Sequence, residues 1–187
     1  MFEALPPPRD SGWEFDDLDR SGLSEHVELI AGTLGRVKRP QSAGHSQTVH
    51  RLRIALEAAR GSDWFVAQDM TIRVDDQNGP EPDLLLVAPE LDYGPNTKWF
   101  RPEDVSLVVE VESEETRAFD RELKPIVYAQ AGIPHYLRVE ECDGFTPMLL
   151  HYRLDNGEYE LASEYRGRLV LDEPVRIDEE IRTDRRR

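Results

Sequence analysis

The chain has 187 residues, of which 39% are hydrophobic and 33% charged, and it carries a formal net charge of −15. That length suits one domain able to bury a core, and no apolar run approaches the roughly 20 residues of a membrane-spanning helix. The excess of acid excludes a surface that attracts nucleic acid as a whole, because duplex DNA carries about one negative charge per ~1.7 Å of axis. Any such contact needs a local basic patch or a cation among the acids.

The N-terminal stretch "MFEALPPPRDSGWEFDD" lacks the basic and apolar regions of a signal peptide. The single cysteine, Cys142, excludes an internal disulfide framework and a Cys-rich zinc site. Both features lead us to expect a cytoplasmic protein. Residues 1–22 read as a loose lead-in, since Pro6–Pro8 forbid helix, with at most a short helical turn in "WEFDDLDRSGL". "HVELIAGTLGRVKRP" holds two short apolar strands around Gly32, the pattern of a hairpin. "SAGHSQTVHRLRIALEAARG" is the clearest helix. Val49, Leu52, Leu56 and Ala59 recur at helical spacing, Ser42 or Ser46 can cap the start, and Gly61 fits the stop.

"WFVAQDMTIRVD" reads as one strand, "EPDLLLVAP" as a short buried strand closed by Pro89, and "LDYGPNTKWFRPED" as a loop. "VSLVVEVE" is the strongest strand. A polar connection, "EETRAFD", leads to a short helix in "PIVYAQAG", which Gly132 can stop. "PHYLRVEE" is a further strand, and "PMLLHYRLDNGEYELASEYRG" is two strands around Asn156-Gly157, a strong hairpin signal. "RLVLDEPVRID" ends the fold. We expect a single domain over residues 23–180 and a basic tail over 181–187. Strands outnumber helices, which indicates a mixed α/β domain on one central sheet.

Strand alternation puts Val108, Glu110 and Glu112 on one face and Leu107, Val109 and Val111 on the other. The wet face is acidic only toward its C-terminal end, as in a strand running from a core to a polar mouth. Asp83 stands at the entrance of another apolar strand, after Pro82, and Glu28 lies beside Leu29 and Ile30. Taken singly, each acid has an ordinary explanation: a turn cap, an arginine partner, a strand-edge charge. Converging, they repel one another unless a cation or a shared proton lies among them. Mg²⁺ takes a few carboxylate oxygens, water and substrate phosphate, and a nearby lysine can orient water or stabilise developing negative charge.

Other chemistries find little support. His45 and His50 are five residues apart, the wrong spacing for a two-histidine helical metal site. His45 reads as an exposed or capping residue, or else it faces the carboxylates. The chain has no P-loop, GxGxxG or GxSxG motif, and Cys142 has no activating neighbour in sequence.

The ordered set "VELIAG", "GH" opening a helix, "EPDLLLVAP" and "LVVEVESEETRAFDRELKPIVYAQAGIPHYLRVE" resembles the bacterial putative restriction endonuclease family of the PD-(D/E)xK nuclease superfamily. The resemblance covers residues 12–165 and is most specific over 105–140. It implies a restriction-endonuclease-like core, a mixed central β-sheet flanked by helices, with a metal site at its mouth. By position, Asp83 and Glu110 match the motif acids and would bind Mg²⁺ or Mn²⁺, with the backbone carbonyl of Val111 as a further ligand and Glu28 as a supplementary one. The superfamily's lysine slot holds Glu112. Lys124, in "FDRELK", matches the family's lysine on the following helical segment. Asp120, Lys124 and Tyr128 are four apart and would share a helix face, although Pro125 suggests that regular helix begins near Lys124.

The resemblance therefore implies metal-dependent phosphodiester hydrolysis by an endonuclease, with Asp83, Glu110 and Lys124 catalytic. The alternative is a catalytically impaired nuclease-fold module that binds nucleic acid or a protein partner. The expected partner is nucleic acid, DNA first, with no membrane and with a homodimer where both strands are cut. Arg36, Lys38 and Arg39 of "RVKRP", with Arg117 and Arg121, are the candidate phosphate contacts.

Overall fold

The computed structural model describes residues 2–20, 27–37, 42–61, 64–88, 93–114, 117–140 and 146–181. In chain order its elements are β1 (Phe2–Ala4), α1 (Phe15–Arg20), β2 (Val27–Ile30), β3 (Thr33–Val37), α2 (Ala43–Ala59), β4 (Phe65–Gln68), β5 (Thr71–Ile72), β6 (Leu84–Val87), β7 (Trp99–Phe100) and β8 (Val105–Val111). A π-helical segment (Phe119–Leu123) follows, running into α3 (Lys124–Gln130), then β9 (His135–Glu140), β10 (Met148–Asp155), β11 (Glu158–Arg166), β12 (Arg168–Leu171) and β13 (Ile177–Glu180). None of these helices is long and apolar enough to cross a membrane.

The central sheet has six strands in the order β11-β10-β9-β8-β6-β4. β8 and β9 are parallel; the other neighbours are antiparallel. A parallel pair needs a crossover, and the helical stretch ending in α3 supplies it. The sheet is covered on both faces. Leu84, Leu86, Leu107 and Val109 pack with Leu52 and Leu56 of α2 and with Leu169 and Ile177 of the β12–β13 ribbon. Leu85, Val87 and Val108 pack with Tyr128 of α3, Tyr136 and Phe100. This is the mixed α/β architecture the sequence implied, and β8 lies at its centre, buried through its C-terminal end, so that Glu110 is enclosed and not at a wet mouth.

Local chemistry explains the elements that were legible. The β2–β3 hairpin turns at Ala31 and Gly32, with φ of 48° and 70°, and the β10–β11 hairpin at Asn156 and Gly157, with φ of 48° and 89°. Two consecutive left-handed residues match the twist of the flanking strands. Ser42 caps α2, its hydroxyl accepting the His45 N–H at 2.9 Å, and Gly61 follows the helix with φ of 65°.

Three expectations need correction. The lead-in is part of the fold: β1 pairs with the free edge of β3, and Phe15 is buried with Val27, Leu29 and Leu34. The prolines forbid helix, but they do not prevent a three-residue strand before them. The single strand expected over "WFVAQDMTIRVD" is broken at Asp69, whose φ is 52°; β4 joins the central sheet while β5 pairs with β7. β7 itself lies inside the expected loop, where Trp99 and Phe100 gain burial by that pairing. Cys142 and the basic tail from 182 onward lie outside the described residues, as do Lys38 and Arg39 and the side chain of Arg36.

Candidate active site

β6 and β8 are antiparallel neighbours, with Leu84 opposite Val109. Asp83, at the start of β6, therefore stands beside the C-terminal end of β8. Its Oδ2 accepts the Val111 N–H at 2.7 Å, and its Oδ1 lies 3.5 Å from His45 Nε2. His45 is only 3% exposed, so of its possible readings the site-facing one holds. The capped first turn of α2 aims the imidazole at Asp83.

Glu110 points to the α3 side of the sheet, as strand alternation requires. Its Oε1 accepts hydrogen bonds from Tyr128 Oη at 2.6 Å and from Lys124 Nζ at 3.0 Å. Lys124 Nζ also lies 2.8 Å from Glu28 Oε1 and 3.2 Å from Asp120 Oδ1. Glu28 additionally accepts the Glu81 N–H at 3.1 Å. The ammonium is thus enclosed by three carboxylates, all buried. Glu28, Glu110 and Lys124 were expected here; Asp120 and Tyr128 were noted only for their spacing, and the structure adds both.

The segment carrying Asp120 and Lys124 is shaped by Pro125. The Lys124 N–H bonds to the Phe119 carbonyl, an i→i−5 contact that defines a π turn. In that register Pro125 would serve the carbonyl of Asp120, but proline has no N–H. Tyr136 Oη takes its place, donating to the Asp120 carbonyl at 2.7 Å. Regular α-helix thus begins at Lys124, as Pro125 implied, and the preceding turn is π-helical and brings Asp120 to the lysine. Tyr136→Phe keeps the ring and orphans that buried carbonyl; we expect a loss of about 1–2 kcal/mol in urea unfolding, and an unchanged midpoint would dismiss this account of the turn.

The electrostatics follow from burial. Desolvation pushes the Glu110 carboxyl well above its ordinary range, opposed by Lys124 and reinforced by Asp120, Glu28 and Asp83. Glu28 is raised for the same first reason, with Lys124 opposing. Desolvation works against the charge on Lys124, but Glu110, Glu28 and Asp120 outweigh it and hold the ammonium well above its usual value. Burial likewise raises the phenols of Tyr128 and Tyr136, so both remain hydrogen-bond donors.

Glu112, in the superfamily's lysine slot, is 3% exposed and fully engaged. Arg121 bonds it through both nitrogens, at 2.7 and 2.9 Å, Arg138 lies at 3.2 Å and Arg117 at 3.6 Å. Arg121 and Arg138 also share Glu140, at 2.9 and 3.0 Å. The negative charge that Glu112 brings is neutralised locally, and Arg117 and Arg121 stand beside the site.

Does this donor set suit a divalent metal? Its oxygens are hard: three carboxylates (Glu28, Glu110, Asp120) surround one lysine, and a fourth, Asp83, acts on Glu110 from the neighbouring strand. Among the described residues no three acidic, histidine or cysteine side chains form a ready-made metal cage. Mg²⁺ does not require one: it is commonly held by one or two carboxylates, waters and substrate phosphate. Asp83 and Glu110, on adjacent strands, fit that description. Glu28 is turned toward the lysine.

A sheet with one parallel pair, crossed by a helix that returns a lysine to acids at the strand ends, defines a nuclease-like fold. The fold also matches a crystal structure described as a putative nuclease belonging to DUF820 from Anabaena variabilis, at 12% identity and a TM-score of 0.58, over 79% of this chain and 81% of that one. A family model described as "Uma2: Putative restriction endonuclease" matches residues 13–179, and the chain belongs to that family. A search of curated proteins found no match.

Proposed function

We propose that this protein hydrolyses phosphodiester bonds of nucleic acid as an endonuclease dependent on Mg²⁺ or Mn²⁺, of the PD-(D/E)xK type. One observation carries the reading: Asp83, Glu110 and the lysine cluster converge at the ends of adjacent core strands, in a member of a family described as "Putative restriction endonuclease". Asp83 and Glu110 are the residues to hold the cation, with the Val111 carbonyl next to them. The cation supplies charge neutralisation at the phosphate and activation of water. Lys124 is charged at neutral pH, so it acts as a hydrogen-bond donor and a counter-charge to the phosphate, not as a base. Glu28, Asp120 and Tyr128 position it and Glu110. In the reaction water adds to phosphorus, the bond to the leaving oxygen breaks, and that oxygen takes up a proton. We put DNA first as substrate, with a two-fold pair of chains where both strands are cut.

Supercoiled plasmid, linear duplex, single-stranded DNA and RNA, each incubated with Mg²⁺, Mn²⁺ or EDTA, test this directly. Cleavage with metal and none with EDTA is the expected result; intact substrates under every condition would refute it.

A second reading rests on Glu112. An acid held by three arginines in the superfamily's lysine slot suits a nuclease fold retired to binding. Glu112→Lys separates the two. Cleavage that appears only in this variant favours the binding module, whereas an active wild type favours Lys124 as the working lysine.

A further inference from the structure

A cavity of about 710 Å³ opens beside α3, lined among others by Arg73, Asn78, Trp99, Arg101, Val127 and Gln130. Its size lies within the roughly 300–1,000 Å³ of ligand pockets. Two of its walls lead straight to the carboxylate–lysine site. Val127 is three residues beyond Lys124 on the same helix, a rise of about 4.5 Å, comparable with the ~3.4 Å per nucleotide along one DNA strand. On the other side, Asn78 Oδ1 accepts the Ala31 N–H at 2.9 Å, and neighbouring Gly79 exchanges backbone hydrogen bonds with Leu29, next to Glu28, at 2.7 and 3.2 Å.

The lining includes one flat ring, Trp99, and two guanidinium groups, Arg73 and Arg101. The Arg73 guanidinium lies 4.7 Å from the centre of Phe15 and 5.5 Å from that of Trp99, and it is tied to Asp16 at 3.0 Å. The Arg73 N–H bonds the Phe100 carbonyl at 2.9 Å, which fixes the strand carrying Trp99. The Arg101 side chain is 66% exposed and lies 3.7 Å from Glu103. The lining carries Asp75 and Glu103 beside Arg73 and Arg101. An aromatic face with guanidinium groups is the chemistry that stacks a base and binds its phosphate.

We propose that this cavity is a nucleotide subsite: it takes one unstacked base of the substrate against Trp99, with Arg101 on the adjoining phosphate. The proposal rests on the nuclease reading for its choice of ligand and deepens it. A base inside a duplex cannot reach a pocket wall without leaving its stack, so single-stranded or locally opened nucleic acid is the preferred substrate.

The test is fluorescence anisotropy of the full chain in EDTA, at low salt, with a fluorescein-labelled single-stranded DNA octamer and its matched duplex. Cleavage by the wild type in Mg²⁺ is assayed in parallel. Single strand is expected to bind about 10-fold or more tighter than duplex, and Trp99→Leu and Arg101→Glu each to weaken it by about 10-fold or more. Arg153→Glu, the same charge change on β10 outside the cavity lining, is the control. Arg101 is exposed, so its variant stays informative even where Trp99→Leu does not fold. Single-strand binding by Arg101→Glu equal to wild type or to the control, equal affinity for duplex, or no binding by the wild type overturns the subsite. If cleavage persists in such a case, the nuclease reading survives alone. Binding that fails in both cavity variants while the wild type cuts nothing leaves the subsite standing and removes the nuclease reading.

Discussion

Lys124→Ala is expected to lose about 3–5 kcal/mol of unfolding free energy at neutral pH, because it leaves buried charges without their partner. Three carboxylates lie within 3.2 Å of the ammonium, and none has another cation as close among the described contacts. The loss has a pH signature. Glu110 and Glu28 are raised above 4.5 by burial, so the folded state binds their protons more readily than the unfolded chain does. Their contribution is therefore most favourable below about 4.5 and declines as pH rises through the folded values. Removing Lys124 takes away the strongest influence holding those values down, so the decline extends to higher pH. The deficit of Lys124→Ala relative to wild type should grow between pH 5 and pH 8 in urea titrations. A deficit under about 1 kcal/mol, or one that does not vary with pH, would mean that the ammonium is not the counter-charge of this cluster. Cleavage should be abolished in the same variant, and Lys124→Arg should recover stability better than activity, since a planar fork cannot meet three acids arranged around a point charge.

Asp83→Asn should lower metal-supported cleavage by at least about 100-fold while sparing the fold. The amide oxygen can still accept the Val111 N–H, now at 2.7 Å from the carboxylate, so the link between β6 and β8 persists. What disappears is the charge. Calorimetry with Mn²⁺ should show the wild type binding and Asp83→Asn not, with circular dichroism unchanged. Glu110→Gln should also lose metal binding. Its consequence for the fold differs, because Lys124 loses one of its three acids but Tyr128 can still donate to the amide oxygen. Undiminished Mn²⁺ affinity in both variants would exclude these residues as the metal site. Metal binding should in addition raise the melting temperature of the wild type by linkage, and a melting curve indifferent to millimolar Mn²⁺ would argue against the same site.

Much of this was written locally. The alternation of "LVVEVE", the cap at Ser42, the helical spacing of Leu52 and Leu56, and Asn156-Gly157 between two apolar runs each specify their element within a few residues. Strand alternation alone placed Glu110 and Glu112 on the side opposite Val109 and Val111, and the ordered motif set brought Glu28, Asp83, Glu110 and Lys124 together as candidates. Periodicity operates over a turn or a strand, which is why these features were legible.

What joins the site spans the whole chain, and only the tertiary structure decided it. Glu28, Glu110, Asp120 and Lys124 come from a hairpin, a core strand and a π turn, and no local pattern states that they meet at one ammonium. The π turn depends on Tyr136, sixteen residues from the carbonyl it satisfies. His45 could be read as a helix cap until the packing of α2 on the sheet turned it to Asp83. Glu112 looked like surplus charge in sequence; Arg121 and Arg138, on the following helix and the neighbouring strand, make it neutral. β1, β5 and β7 are too short to show a period, and they exist because a free strand edge and partly buried aromatic residues were available to pair with. The sequence by itself determined which residues are the candidates for the chemistry and the faces they occupy. Long-range burial decided their partners, because the charge of a buried group is set by what the folded chain brings within a few ångströms of it.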